Sequence, residues 1–454
     1  MWNGILRQIG TGEEMSANLS AANLGLNLHV HTREVSAKVV STDSPLPAAK
    51  RPVATFIPPK PSKHVGYLEG LRGLAALAVV FDHMFRSTLV VSAQTGWKAT
   101  LRDGIGWITQ GRWCVDLFIV LSGYLLMRPV IRAGTRGLPD GLKMYLYRRA
   151  KRILPPYYAA LAISLILLAC IPALRQPMNW EWQDAVQPNG PYGGSNLVAH
   201  VLMVHNLNAN WASKIDPAMW TVATEWQIYF LFPLILLPAW ALFGSAGAII
   251  AGLGLGLGGF LIIGHGQSAA PWYLGLFAMG MVAAARERGA MFRRSDQLIF
   301  GSLAAIFFAA YFAITGAVQF NYLHLPNASG IEDLYQYNWE LDIIVGIAAA
   351  CFLCYCSANI QQADIANRPR SLAIQFLSSK ALVFLGVFSY SLYLIHEPFI
   401  PILQLVFNSL SLGPYRTFAG MILFGIPLIL LITYGFHLLF ERPFMARARV
   451  TPAD

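Results

Sequence analysis

The first long apolar segment of the chain contains an arginine and a histidine, Arg72 and His83, with Asp82 beside the histidine. Ionisable side chains inside a bilayer are costly, so such residues are candidates for a functional site. Arg72 and His83 are eleven residues apart, close to three helical turns, so they share one helix face about 16 Å apart along the axis. Asp82 points about 100° away from His83 on an ideal helix. Because imidazole titrates near neutral pH, His83 could act as a general base.

Polar residues are expected at a similar depth in three other apolar segments. Asp116 lies in the second segment, Glu225 at the start of the fourth, and His396 and Glu397 in the ninth. Any one of them could belong to a purely structural hydrogen-bond network, whereas several at one depth favour a polar cavity that opens to the outer side. Glu225 or His396 could orient His83 or a substrate, and Asp116 is a weaker candidate for either role.

A basic cluster precedes the third apolar segment, at the predicted inner face. It consists of Arg148, Arg149, Lys151 and Arg152. Such a cluster is first of all a topology signal, because Lys and Arg concentrate in cytoplasmic loops. The alternative is a binding site for a phosphate-rich cytosolic molecule, since arginine pairs well with phosphate oxygens. Arg72 lies near the same boundary and could contribute to that site.

The elements that would position these residues are membrane-spanning helices. Of the 454 residues, 56% are hydrophobic and only 12% are charged, and the mean hydropathy is +0.49. Soluble domains carry about 25% charged residues, so the composition excludes a soluble enzyme, a coiled coil and a disordered protein. It predicts an all-α polytopic membrane helix bundle, with spans of roughly 20 apolar residues each. Ten spans are predicted, at 68–91, 107–129, 154–174, 224–243, 245–264, 270–286, 298–316, 340–358, 381–407 and 416–440.

The charge distribution predicts that both termini are cytoplasmic. With this orientation the five inner segments carry 22 Lys and Arg residues, against 7 in the outer loops. The same bias accounts for the net charge of +10 without a nucleic-acid partner. We therefore expect a multi-pass integral protein of a bacterial inner (plasma) membrane.

Three regions are predicted along the chain. Residues 1–64 form a flexible polar tail that ends in a proline-rich linker, residues 65–446 form the transmembrane domain, and residues 447–454 form a short cytoplasmic tail. The stretch 197–207 is apolar but too short to span a bilayer, so it predicts an interfacial or re-entrant helix.

Six sequence blocks resemble, in order, motifs of the membrane-bound acyltransferase-3 family. The first block carries the family's arginine and histidine separated by ten residues. The fourth departs from the family pattern, because Thr221 replaces the usual serine. The resemblance covers about residues 65–446. The blocks are Tyr67–His83, Leu117–Leu125, Tyr147–Pro155, Trp220–Tyr229, Ser389–His396 and Phe440–Pro443.

The resemblance implies an enzyme that moves an acyl group, usually acetyl, from acyl-coenzyme A to a hydroxyl of a sugar or glycosylated acceptor. His83 would be the base, and Arg72, Arg148, Arg149 and Arg152 would bind the donor. No metal is expected. The expected partners are a sugar-containing acceptor and membrane lipid, while homo-oligomerisation is left open. Ser122 and Ser389 could carry the acyl group covalently, although direct transfer is simpler.

Two alternatives remain open from the sequence. A transporter or flippase of a glycolipid or polysaccharide precursor would also place charges at mid-membrane, but the two halves of the chain show no inverted repeat. The other large superfamily of membrane acyltransferases is defined by His and Asn/Asp motifs that match these blocks less well.

Overall fold

The computed structural model describes residues 66–90, 95–175, 194–263, 266–289, 291–323 and 338–445. The predicted N-terminal tail, its linker and the C-terminal tail 447–454 lie outside these residues.

All regular structure in the described ranges is helical, which confirms the predicted all-α class. In chain order the α-helices are α1 Gly66–Phe85, α2 Trp97–Thr109, α3 Arg112–Ala133, α4 Gly141–Cys170, α5 Gly194–Val201, α6 Ala209–Ala212, α7 Met219–Leu231, α8 Leu237–Leu253, α9 Gly259–Ile263, α10 Tyr273–Gly289, α11 Arg294–Gln319, α12 Asn338–Ile365, α13 Leu372–Leu377, α14 Lys380–Val387, α15 Ser389–Ser409, α16 Pro414–Gly420 and α17 Ile426–Phe436.

Within the described ranges, nine helical segments are long and apolar enough to cross a membrane. One of them, Met219–Ile263, has 45 residues, about twice the length that a single crossing needs. Its helix is interrupted at Gly244, whose φ of +66° and ψ of −153° are not helical. This break divides the segment into two lengths that match the fourth and fifth predicted spans. The protein is therefore a multi-pass integral membrane protein, and the described helices agree with about ten crossings.

The structure differs from the predicted spans in two places that bear on function. The fourth span begins at Met219 rather than near residue 224, because α7 starts one and a half turns earlier. The ninth span is two helices, α14 and α15, that meet at Phe388. The short apolar stretch 197–207 folds as the end of α5 followed by the 3₁₀ turn His205–Leu207, in keeping with a segment too short to span.

Glycines allow the helices that carry the polar residues to pack backbone to backbone. A Cβ atom added at Gly386 of α14 would lie 1.9 Å from the carbonyl oxygen of Glu69 on α1. A Cβ at Gly123 of α3 would lie 2.0 Å from the carbonyl oxygen of Phe277 on α10. Small residues at such crossings are a general means of close helix packing in membranes. They fix α1 and α3 against the rest of the bundle.

The predicted orientation can be tested with reporter fusions. Because the inner segments carry most of the Lys and Arg residues, reporters fused after residues 152, 292 and 454 should all report a cytoplasmic location. A reporter after residue 190 should report the opposite side. A cytoplasmic signal at residue 190 would contradict the ten-span, N-in arrangement.

Candidate functional site

A buried cluster joins α1 to α15 through His83, His396 and Glu397. The imidazole Nδ1 of His83 contacts the Oε2 atom of Glu397 directly, and lies 3.1 Å from Nε2 of His396. His396 and Glu397 are fully buried, whereas the side chain of His83 keeps 20% of its surface accessible. His83 is therefore the member of the cluster that can meet a substrate.

The hydrogen bonds of the cluster assign its tautomers. Nδ1 of His396 lies 2.9 Å from the carbonyl oxygen of Leu392, which can only accept a hydrogen bond. In neutral His396, Nδ1 is therefore the donor and Nε2 is an acceptor. Nδ1 of His83 must then carry the hydrogen that it shares between Nε2 of His396 and the carboxylate of Glu397. This assignment leaves the lone pair of neutral His83 on Nε2, the nitrogen that can accept a proton.

His83 lines a cavity of about 290 Å³ on the predicted outer side of the bundle. Arg86 and Arg112 are its cationic residues, and each has a carboxylate partner. Nε of Arg86 donates to Asp82 over 2.9 Å, and Arg112 donates two bonds of 2.7 Å to Asp342. Aromatic rings complete the wall: Trp220 and Tyr273 lie with ring centroids 6.2 Å apart and planes 27° apart. The remaining lining residues are Val79, Asp82, Gly111, Val115, Ser213, Pro217, Ala218 and Tyr393.

A second, smaller cavity of about 100 Å³ lies toward the predicted inner face. Arg72, Arg149 and Arg152 line it, and Nε of Arg149 has no hydrogen-bond partner among the described residues. Glu225 lies in this inner cavity, where it accepts hydrogen bonds from Ser122 and, over 2.5 Å, from Tyr229. The apolar part of its wall comes mainly from one face of α3.

Val115 and Tyr393 line both cavities among the described residues. We call this pair the neck. Tyr393 precedes His396 by three residues on α15, so the neck lies about one helical turn from the histidine cluster. The two cavities therefore adjoin at the neck, with basic residues lining the inner one and His83 lining the outer one. We refer to the two cavities and the neck together as the route.

The structure brings together only some of the predicted site residues. His83 and His396 are in direct contact, and Arg72, Arg149 and Arg152 line the inner cavity. Arg148 instead pairs with Asp140 at the exposed start of α4, over 2.5 Å, and is not part of the cavity lining. Glu225, expected at the depth of His83, lines the inner cavity and not the cavity of His83, since α7 begins at Met219 and Glu225 lies about 9 Å along the helix from that start.

Asp116, the weakest of the predicted candidates, is fully buried one turn after Arg112 on α3. It interacts electrostatically with Arg112 and Asp342, and Asp342 also accepts a 2.8 Å bond from Nε1 of Trp272. Asp116 thus belongs to the network that ties α3 to α10 and α12 behind the outer cavity, and is absent from the cavity's described lining.

Two distant motifs are joined by a second buried cluster. Ser391 of α15 donates a 2.5 Å hydrogen bond to Glu441, and Nδ1 of His437 lies 2.8 Å from the same Oε2 atom. Because Ser391 lies on the same helix as His396, this contact fixes the rotation of α15. The block that ends in Pro443 therefore helps to aim the histidine cluster.

The motifs and the fold agree with a comparison against protein families. The family model described as an acyltransferase domain, acyltransferase-3, matches residues 65–438. The chain belongs to the acyltransferase-3 family. This membership agrees with the acyl-transfer reaction expected from the sequence, and it gives no support to the transporter alternative. No solved structure is significantly similar to the chain.

Similar proteins of this family include O-acetyltransferases. The O-acetyltransferase OatA of Staphylococcus aureus (strain NCTC 8325 / PS 47) is 26% identical over 355 residues, which are 74% of this chain and 51% of that protein. The peptidoglycan O-acetyltransferase OatA of Listeria monocytogenes is 28% identical over 104 residues, 23% of this chain and 14% of that protein. This chain spans about half the length of the S. aureus relatives that it matches.

The acyltransferase-3 signature directed attention to His83 and His396, but not to Glu397 as the direct partner of His83. The signal was present, since Glu397 is a carboxylate in an apolar segment next to His396. The same three side chains bring one ligand atom each within 4.8 Å of one another, so among the described residues they could also hold a metal ion. The direct contact between His83 and Glu397 suits a proton-transfer pair equally well. The absence of a metal stays a prediction.

Asp216, in the loop before α7, is a further buried acid that sequence reasoning missed. It accepts bonds of 3.1 Å from Ser164 and from the backbone N–H of Ala218. Burial raises the pKa of Asp216 to about 8, and the negative charge of Glu397 adds to this effect. Asp216 is therefore protonated in the folded protein at pH values where a free aspartate is ionised.

Replacing this acid should change how stability depends on pH. Between about pH 4, the ordinary pKa of aspartate, and about pH 8, the folded protein keeps a proton that the unfolded chain has lost. Stability should therefore fall as pH rises through this window. Asp216→Asn cannot ionise, so its Tm in detergent should decline less than the wild-type Tm between pH 5 and pH 8, by about 2 °C or more. Parallel Tm curves for the two proteins would contradict this assignment.

Proposed function

We propose that the protein is a membrane O-acyltransferase that takes an acyl group, usually acetyl, from cytosolic acyl-coenzyme A and gives it to a sugar hydroxyl on the opposite side. The observation that carries the proposal is the route of two cavities, basic at the inner end and lined by His83 at the outer end. The family and its O-acetyltransferase relatives support the reaction class.

The donor would bind from the inner face. The coenzyme A phosphates are charged and cannot enter lipid unaided, so they would remain near Arg149 and Arg152, with Arg72 deeper along the cavity. Arginine is suited to phosphate because its planar guanidinium donates paired hydrogen bonds. The uncharged pantetheine arm would extend along α3 toward the neck, over a distance comparable to the 16 Å rise between Arg72 and His83.

The acceptor would bind in the outer cavity. The ring faces of Trp220 and Tyr273 offer a surface on which a sugar can lie, and His83 lines the same space.

In the transfer step, Nε2 of His83 takes the hydroxyl proton as the hydroxyl oxygen attacks the thioester carbonyl. The new C–O bond forms and the C–S bond breaks. The proton passes from His83 to the leaving thiolate, so free coenzyme A and the acyl ester are the products.

The buried carboxylate beside His83 supports this step. When His83 accepts the proton, its positive charge lies against Glu397, which favours the imidazolium without needing any rearrangement. Arg86 and Arg112 line the same cavity, and although each is paired with a carboxylate, their guanidinium N–H groups can help to stabilise the negative charge that develops on the carbonyl oxygen. His396 holds the His83 ring in place by accepting part of the Nδ1 hydrogen bond.

Substitutions in the outer and inner cavities should change different kinetic parameters. His83→Ala removes the base, so we expect kcat to fall by about 100- to 10,000-fold with little change in donor binding. Arg72→Ala should mainly raise KM for acetyl-coenzyme A. Both can be measured by release of the coenzyme A thiol in detergent, with soluble de-O-acetylated peptidoglycan fragments as the acceptor probe. Near-normal turnover by His83→Ala would overturn the assignment of the base.

Membrane vesicles of opposite orientation test the sidedness of the reaction. Inverted vesicles expose the cytoplasmic face, so labelled acetyl-coenzyme A added outside should label peptidoglycan fragments enclosed within. Right-side-out vesicles should label external fragments only when the donor is enclosed. Equal labelling with donor and fragments both on the cytoplasmic face would refute transfer across the membrane, while leaving acyl transfer itself intact.

A further inference from the structure

Val115 and Tyr393 are the point where a donor held in the inner cavity meets the outer cavity. Four helices, α1, α3, α7 and α15, each contribute residues to both cavities. On α3, Arg112 lines the outer cavity and Ser122 the inner one, with Val115 between them. A thioester carried on a pantetheine arm must place its carbonyl at this point to be within reach of an acceptor beside His83.

The ring of Tyr393 is held rigidly at the neck. Its hydroxyl forms a 2.6 Å hydrogen bond with Thr221 on α7. The ring also packs edge-on against Phe118, with centroids 6.0 Å apart, and its centroid lies 6.0 Å from that of His396. A ring fixed on three sides cannot turn aside to admit a larger group without breaking these contacts.

Val115, the other residue that lines both cavities, has a β-branched side chain. Valine has one strongly preferred rotamer in a helix, so its two methyl groups occupy fixed positions. An acyl group whose carbonyl lies at the neck would have its remaining carbons near these methyls and near the Tyr393 ring, because both residues line both cavities. Each added methylene must then displace one wall or project toward the acceptor in the outer cavity.

We propose that Val115 and Tyr393 determine the length of the acyl chain, so that acetyl is transferred and longer chains are rejected. The proposal rests on the proposed function, because it assumes that the acyl donor enters from the inner cavity. One methylene in a close-fitting apolar pocket changes kcat/KM by about 10- to 200-fold. The neck is therefore sufficient to separate acetyl from propionyl and butyryl donors.

The test compares acetyl-, propionyl- and butyryl-coenzyme A as donors for the detergent-purified full chain, with de-O-acetylated peptidoglycan fragments as acceptor probe. Wild-type kcat/KM should fall by about tenfold or more from acetyl to butyryl. Val115→Ala removes two methyl groups from the neck, so the acetyl-to-butyryl ratio should fall by about tenfold while acetyl transfer continues. Val115→Ile adds a methyl group and should raise the acetyl-to-propionyl ratio.

Val120→Ala is the matched control, because Val120 is buried on the same helix and lines neither cavity. It carries the same truncation and should leave the donor ratios unchanged. Unchanged ratios in Val115→Ala, or a wild-type enzyme that uses butyryl as well as acetyl, would overturn the proposal. If Val115→Ala does not fold, an unchanged ratio in Val115→Ile overturns it instead. Absence of transfer from every donor by the wild type would refute the proposed function rather than the role of the neck.

Discussion

The contact between His83 and Glu397 is the interaction on which the rest of the site depends. It brings an ionisable pair into the interior of a membrane protein, where charges are expensive unless they are paired and hydrogen-bonded. His396 completes the pairing, and the carbonyl oxygen of Leu392 fixes its tautomer. Because the two partners lie on α1 and α15, the bundle must hold these helices at a constant separation, and the glycine contacts of α1 with α14 serve this requirement.

The charge pattern along the route follows from the same constraint. At the outer cavity each arginine is neutralised by a carboxylate, Arg86 by Asp82 and Arg112 by Asp342. At the inner cavity Arg72 pairs with Glu69 over 3.3 Å, whereas neither Arg149 nor Arg152 forms a salt bridge with a carboxylate among the described residues. A neutralised outer site suits a sugar, while an excess of positive charge suits phosphate. The bundle therefore presents different chemistry at its two ends.

Much of this arrangement could be predicted from the sequence. Hydropathy and charge bias predicted the helical bundle, and ionisable residues in apolar segments directed attention to His83 and His396. Depth was harder to predict, because it depends on where a helix begins. The start of α7 at Met219 moved Glu225 from the expected histidine level into the inner cavity. The direction in which a side chain points was harder still to predict. Neighbouring side chains on a helix point about 100° apart, so the sequence alone could not show that both His396 and Glu397 reach His83. Arg148 was expected to mark the cytoplasmic side or to bind the donor. In the structure it pairs with Asp140 at the exposed start of α4.

The neck has a consequence for the energetics of the cell membrane. A protein with a polar cavity on each side of a bilayer is a potential leak for protons and small ions, which would dissipate the membrane potential. Each elementary charge that crosses releases about 2.3 kcal/mol per 100 mV. Val115 and the hydrogen-bonded ring of Tyr393 place apolar surface where the two cavities adjoin, and a hydrated ion cannot wet such surface cheaply. An uncharged acyl group would meet no such electrostatic barrier, so the proposed transfer between compartments would not require a path for ions.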